Sequence, residues 1–334
     1  MITIYPTPSS ANTDSTPVFF DELRETIGLN MTPFSCGRAA MLYGLRALGL
    51  GRMDHILVPP FLGHCVLSTV SKTAFPTMTP VSAVKAILVY HQFGYPQKID
   101  AIEKTAQYNG WIILNDCANT FLTLYRQKSV VDWGDFSVLS FSKIYPCVLG
   151  GALTSRNDRL LNRIKGDYTF MAERHTARAN MAYSVMDKAS KGLLGDDTGF
   201  EVDAVYGYLP EVVAFPIEAF RALPDTRQEI KKDANHRKRL LAIVTSYFPE
   251  RVPECSECEV IPFAIPIASD PSQMESISER IQRQMDVEVP ILHFDFARNM
   301  LEPDYRKALV IGCHVGWNED MVTSICEIMR ESMP

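Results

Sequence analysis

The sequence predicts an α/β protein built on a largely parallel sheet, followed by a smaller α+β unit. Three observations carry that prediction. Between Ile56 and Thr154, short apolar runs alternate with segments of helical periodicity, the pattern of strands and crossover helices. Two of these runs lead to Asp116 and Lys143, at strand ends where open α/β sheets bind their ligands. Past Thr154 the pattern turns helical, and strand-like runs return only from Val260 onward, mixed with helices.

Residues 1–30 are polar and rich in Pro, Ser and Thr at first, then hold a short helical candidate from Phe20 to Ile27. They read as an N-terminal arm. Phe34-Ser-Cys-Gly-Arg38 leads into Ala39–Leu48, apolar at helical spacing, with Gly49 and Gly51 to stop the helix. The helix start offers free N–H groups and a positive dipole end, a natural cradle for phosphate, to which Arg38 adds charge. A plain capped core helix would read the same way. Ile56–Pro60 predicts a strand ending at a turn, and Phe61-Leu-Gly-His64 opens the next helix.

Ala83–Tyr90 predicts a strand ending at His91-Gln-Phe-Gly94, and a helix follows from Pro96. Trp111–Asn115 is the strand that delivers Asp116, and Phe136–Phe141 the one that leads to Lys143. Leu160–Lys191 is largely helical. Thr226–Phe248 is a charged amphipathic helix whose basic cluster, Lys231, Lys232, Arg237, Lys238 and Arg239, reads as a solvated face. Val260–Ile265, Val287–Leu292 and Ala308–Ile311 are the later strands, and Ser272–Met285 and Asn318–Met329 the later helices. The chain therefore divides into an arm (1–30), a large α/β domain (31–222) and a small α+β domain (223–334).

Composition narrows the function. The 334 residues carry a formal charge of −6, which argues against nucleic acid or an anionic membrane as the main partner. The start, Met1-Ile-Thr-Ile-Tyr-Pro, has no basic segment followed by an apolar core, so a cytoplasmic protein is expected. Most of the eight cysteines lie in apolar segments, where they act as small hydrophobes. Cys255 and Cys258 form a Cys-x-x-Cys without the second pair of a zinc ribbon or the flanking pattern of a redox motif. No metal site and reduced thiols are expected. No Gly-x-Gly-x-x-Gly opens a helix after a strand, which removes the Rossmann dehydrogenase reading. His91, His293 and His314 follow or end strands and receive no catalytic role, since a satisfied buried histidine explains each as well.

Alone, Asp116 reads as a turn or cap residue and Lys143 as a surface charge. Together, at two strand ends, they match one cofactor. Pyridoxal phosphate needs a lysine for its Schiff base and a carboxylate on its pyridinium nitrogen.

The ordered motifs then resemble the sugar aminotransferases of the DegT/DnrJ/EryC1/StrS family. Ser35-Cys-Gly-Arg-Ala-Ala-Met-Leu42 stands where that family has its phosphate turn, and Val58-Pro-Pro-Phe61 where it has Val-Pro-x-Phe. His91-Gln-Phe-Gly-Tyr-Pro96 with Ile99-Asp-Ala-Ile102, and Asn115-Asp-Cys-Ala-Asn119, follow in order. Gly134-Asp-Phe136, Ser140-Phe141, Lys143 and Gly150-Gly-Ala152 complete the series. The resemblance implies the fold type I architecture, a mixed, mostly parallel seven-stranded sheet flanked by helices plus a small α+β domain. It also implies a homodimer with pyridoxal 5′-phosphate as cofactor.

Carried over by position, Lys143 would be the Schiff-base lysine and proton shuttle, and Asp116 the partner of the ring nitrogen. Asn119 would sit near the ring's 3-oxygen, Gly37 and Arg38 would give backbone N–H groups to the phosphate, and Ser140 a hydroxyl. The aromatic that stacks on the ring falls near Gly63, so His64 takes its place. Other departures are Arg38 for Thr, Asn119 for Gln, a lysine segment about two residues shorter, and Leu149 for an acidic residue. Tyr206-Gly-Tyr208 stands where the family reaches into the partner's site. The implied activity is transfer of an amino group from glutamate or glutamine to a keto group, of a nucleotide-linked sugar or another biosynthetic ketone. A lyase, dehydratase or decarboxylase on the same fold, or a non-catalytic binding protein, are the alternatives.

Overall fold

The computed structural model describes residues 1–7, 16–191, 193, 204–205, 207–211, 222–224 and 226–333. The strands are β1 (Met31–Phe34), β2 (His55–Leu57), β3 (Phe75–Thr77), β4 (Val84–Tyr90), β5 (Ile112–Asp116), β6 (Leu124–Tyr125) and β7 (Lys128–Ser129). They continue with β8 (Phe136–Ser140), β9 (Gly151–Thr154), β10 (Cys258–Glu259), β11 (Ala264–Ala268), β12 (Ile291–Asp295) and β13 (Tyr305–Gly312). The helices used below are α1 (Thr16–Ile27), α2 (Gly37–Ala47), α3 (His64–Ser71), α4 (Ile99–Asn109) and α5 (Asp158–Ser190). They are followed by α6 (Arg227–Tyr247), α7 (Pro271–Met285) and α8 (Glu319–Ser332).

Seven strands form one sheet in the order β1-β9-β8-β5-β4-β2-β3. The pairs from β3 through β8 are parallel, and β8–β9 and β9–β1 are antiparallel. The sheet is thus mixed and mostly parallel, and the architecture is the α/β fold type I arrangement. Parallel strands covered on both faces need apolar residues at nearly every position. Leu88 and Val89 of β4, Leu114 of β5 and Val138 and Leu139 of β8 meet that need, all buried. α2 lies close against this sheet because Gly44 leaves room for a ring. A Cβ there would stand 2.6 Å from Phe136 Cζ and 2.9 Å from a Leu153 methyl.

A second sheet, β11-β13-β12, is antiparallel and buries Ile265, Ile267, Leu309 and Ile311 against α6, α7 and α8. The two sheets are tied by the turn after β4. Gln92 donates to the His293 carbonyl and accepts from Asp295 N, and Gln97 accepts from Met300 N at 2.7 Å. The arm's first residues pack beside this second sheet: Ile2 bridges Val287 ahead of β12, and His314 Nε2 and Trp317 Nε1 both donate to the Thr3 carbonyl.

Three expectations need correction. The strand expected over Val287–Leu292 begins at Ile291, because Pro290 has no N–H to give a ladder. Cys255 and Cys258 are joined by a disulfide rather than reduced, since their turn brings the two Cα atoms to 5.3 Å. Arg237 is not solvated with its basic neighbours; it is 1% exposed and pairs with Asp233. Tyr206 lies outside the described residues. No described helix is long and apolar enough to cross a membrane.

Candidate active site

Parallel pairing brings the carboxyl ends of β4, β5 and β8 to one edge of the sheet. The register sets Tyr90 opposite Asp116 and Asp116 opposite Val138, two residues before Ser140. Ser140 stands opposite Gly151 on the antiparallel neighbour, and Cys36 bridges Gly150. The start of α2 therefore abuts the ends of the strands. A cavity of about 410 Å³ opens there, a size suited to a small molecule. Gly37, Arg38, Asp116, Ser140 and Lys143 all line it.

The phosphate end is a backbone construction. Cys36, the residue before α2, is extended and its side chain makes no cap hydrogen bond to the helix start. Space around them is kept by glycine. A Cβ on Gly151 would stand 2.5 Å from both the Cys36 carbonyl carbon and Gly37 N, and one on Gly37 would stand 3.2 Å from Leu139 O. Ser140 is buried on the same wall.

Asp116 is 3% exposed, and its Oδ1 accepts from Ala118 N at 3.0 Å. Burial pushes its carboxyl above the usual range, while Lys143 and that N–H pull it back down. A buried carboxylate in this balance favours a cation beside it. Lys143 closes a short 3-10 turn, Phe141–Lys143, directly after β8. Its neighbours anchor that turn. Phe141 packs edge-on against Phe19 and Phe20 of α1, and Tyr145 against Phe19.

Behind Asp116 sits a buried polar network. His91 Nδ1 accepts from Gln97 N, so its Nε2 carries the proton and donates to Asn115 Oδ1 at 2.6 Å. Asn115 Nδ2 in turn donates to the Val130 carbonyl and to Ser137 Oγ. Burial lowers the His91 pKa to about 4, so the ring is neutral.

Two of the residues named from sequence stand apart from the cavity. His64 opens α3 but is exposed and off the lining; Cys65, Val66 and Thr69 of that helix face the cavity instead. Asn119 is buried beside it, accepts a hydrogen bond from Tyr90 Oη, and lines a separate small cavity. Residues that the sequence did not single out also line the main cavity. Tyr5 comes from the arm and rests on Phe263, with ring centroids 5.4 Å apart, and Met186 and Ala189 come from α5. No motif marks them, because each is brought in by an element distant in sequence. Tyr90 was detectable as the strand residue opposite Asp116. Burial first, then the charge of Asp116, holds its hydroxyl well above the usual tyrosine range.

The model of the DegT/DnrJ/EryC1/StrS aminotransferase family matches residues 71–186, which include Asp116 and Lys143. GDP-perosamine synthase of Escherichia coli O157:H7 is 26% identical over 152 residues, covering 39% of this chain and 41% of that protein. The match thus spans about two fifths of that relative's length. A DegT DnrJ EryC1 StrS aminotransferase from Brucella abortus superimposes with TM-score 0.68 at 16% identity, over 96% of this chain and 91% of that one. DesV of S. venezuelae, solved in complex with a ketimine intermediate, gives TM-score 0.67 at 16% identity over 96% and 90%. The segment 71–186 is thus similar to the DegT/DnrJ/EryC1/StrS aminotransferase family, and the fold of solved aminotransferases extends over nearly the whole length of the chain.

Proposed function

We propose that this protein is a pyridoxal-phosphate-dependent aminotransferase that moves an amino group from glutamate or glutamine to a ketone, in the first place a nucleotide-linked keto sugar. The observation that carries the reading is the convergence of Asp116 and Lys143, at the ends of neighbouring strands β5 and β8, on one cavity whose other wall is the start of α2. The residues fit the cofactor. The start of α2, with Gly37 and Arg38 on the cavity lining, and Ser140 suit a phosphate, and the buried Asp116 suits a ring nitrogen that stays protonated. When bound, the cofactor supplies an electron sink for the carbon that loses its proton.

The protein's own groups do the rest. Gly37, Arg38 and Ser140 would orient the phosphate. Asp116 would hold the proton on the ring nitrogen. Lys143 Nζ would tether the cofactor by its aldehyde carbon and, once a donor amine has taken its place, carry the proton from one carbon to the other. Asn119 would act from behind, through Tyr90, and His64 would stand at the rim. The sugar acceptor rests on what the relatives' names say of them, GDP-perosamine synthase and a dTDP-amino-sugar transaminase among them. A homodimer in the cytoplasm, with residues 223–334 as a small domain, completes the proposal.

Incubation with pyridoxal phosphate and then glutamate tests it. The reading requires the bound cofactor to change its absorbance and an equivalent of 2-oxoglutarate to appear. Cofactor that binds but ignores glutamate and glutamine would instead favour a lyase or a binding protein.

A further inference from the structure

Arg237 lies on α6 and is among the most fully buried side chains of the molecule. Its guanidinium makes three polar contacts. Nε donates to Asp233 Oδ2 at 2.8 Å, Nη1 to the Pro262 carbonyl at 3.3 Å, and Nη2 to the Ile144 carbonyl at 2.8 Å. Ile144 is the residue after Lys143. Its own N–H, like that of Tyr145, closes the turn by donating to the Phe141 carbonyl. Arg237 therefore grips the turn at a carbonyl that the turn itself leaves unbound. A small cavity of about 10 Å³ lies against the same group, with Asn119, Thr120, Ile144, Asp233 and Arg237 among its lining residues.

A buried ion pair is a costly way to fill a core. Apolar residues of similar volume often stabilise a fold as well or better. What Arg237 adds is geometry: a rigid fork that satisfies two backbone carbonyls from different segments at once. The segment at Pro262 precedes β11 of the second sheet, and the segment at Ile144 carries the lysine.

We propose that Arg237, held in place by Asp233, is a positioning residue for Lys143, setting the lysine turn against the second sheet so that Nζ meets its reaction partner at a fixed place. This rests on the reading of Lys143 given above. Arg237 touches no substrate; it acts through the Ile144 carbonyl. Misplacing a reacting group by about 1 Å costs on the order of a hundredfold in rate, so the effect falls on turnover rather than on binding.

The test uses the full-length protein and two variants. Arg237→Met/Asp233→Leu removes both charges together and is expected to fold, because no unpaired charge stays buried. Arg237→Lys keeps the charge beside Asp233 but has no fork to span two carbonyls. The expected result is a double variant that still unfolds cooperatively, at a somewhat lower temperature because two buried carbonyls lose their donor, with kcat lowered about tenfold to a hundredfold and KM for the amino donor within about twofold. Arg237→Lys should fall between. In the cofactor-free proteins, the Ile144 and Tyr145 amides of the double variant should exchange at least about tenfold faster than in wild type. A double variant that folds with wild-type kcat and wild-type exchange overturns the proposal. Failure of both variants to fold also overturns it, since Arg237 would then only hold the fold. Should the wild type take up no pyridoxal phosphate, the proposed function fails, and amide exchange alone decides whether Arg237 holds the turn.

Discussion

The two walls of the cavity are built differently. The inner wall consists of Gly37, Asp116, Val138 and Ser140, all buried, and comes from strand ends locked in one ladder and from the first turn of α2. The outer wall consists of Tyr5, Cys65, Val66, Met186 and Ala189, drawn from the arm, α3 and α5. Tyr5 is 51% exposed, and Cys65 is exposed as well. One wall is placed by backbone hydrogen bonds, and the other by side chains that meet across the chain. Under the proposed function, the common chemistry would belong on the first, and choice of acceptor on the second.

The sharpest way to break the inner wall is Lys143→Ala. Turnover with glutamate should fall by on the order of a thousandfold or more, while the fold survives. A variant that keeps even a tenth of the activity would remove Lys143 from the chemistry.

Next in size is Gly151→Ala. Its Cβ would lie 2.5 Å from Cys36 and Gly37 backbone atoms, which cannot rotate away. A loss of about 2–4 kcal/mol in stability is expected by denaturant titration, with weaker uptake of pyridoxal phosphate. Wild-type stability would mean that the α2 turn is loose enough to admit a methyl group.

The buried network behind Asp116 predicts a pH effect. His91 titrates at about 4 in the folded state against 6.5 in the reference state, so the unfolded chain binds the extra proton between those values. Stability from this group is complete above pH 6.5 and is lost as pH falls towards 4, about 3 kcal/mol in all. Asp116, raised by burial, works in the opposite sense. Comparison with His91→Gln isolates the histidine: the variant's stability should fall less steeply over that window. Parallel curves would count against a neutral buried ring.

The outer wall predicts the smallest effect. Tyr5→Ala should raise KM for the keto acceptor severalfold and leave the glutamate half-reaction unchanged. Equal losses in both halves would make Tyr5 part of the inner machinery.

The same contrast explains what could be read in the sequence. β4, β5 and β8 were legible because strands covered on both faces are apolar throughout, and Asp116 and Lys143 stand out where those runs stop. β1 and β3 were missed. Each is a three- or four-residue edge strand containing a proline, Pro33 or Pro76, and reads as a loop. The burial of Arg237 is not legible in the sequence, because an Asp–Arg pair at helical spacing looks alike in water and in a core. What buries it, Ile144 and Pro262, lies far away in the chain. The cavity-facing side of α3 is hidden for a similar reason: a shift of one residue separates His64, off the cavity, from Cys65 on its lining, and only tertiary placement decides between them.

The most direct test of the central claim is borohydride reduction of the protein loaded with pyridoxal phosphate, followed by peptide mapping. The account predicts one stable cofactor adduct, on the peptide carrying Lys143, and none in Lys143→Ala. An adduct on another lysine, or none on wild type supplied with excess cofactor, would contradict it.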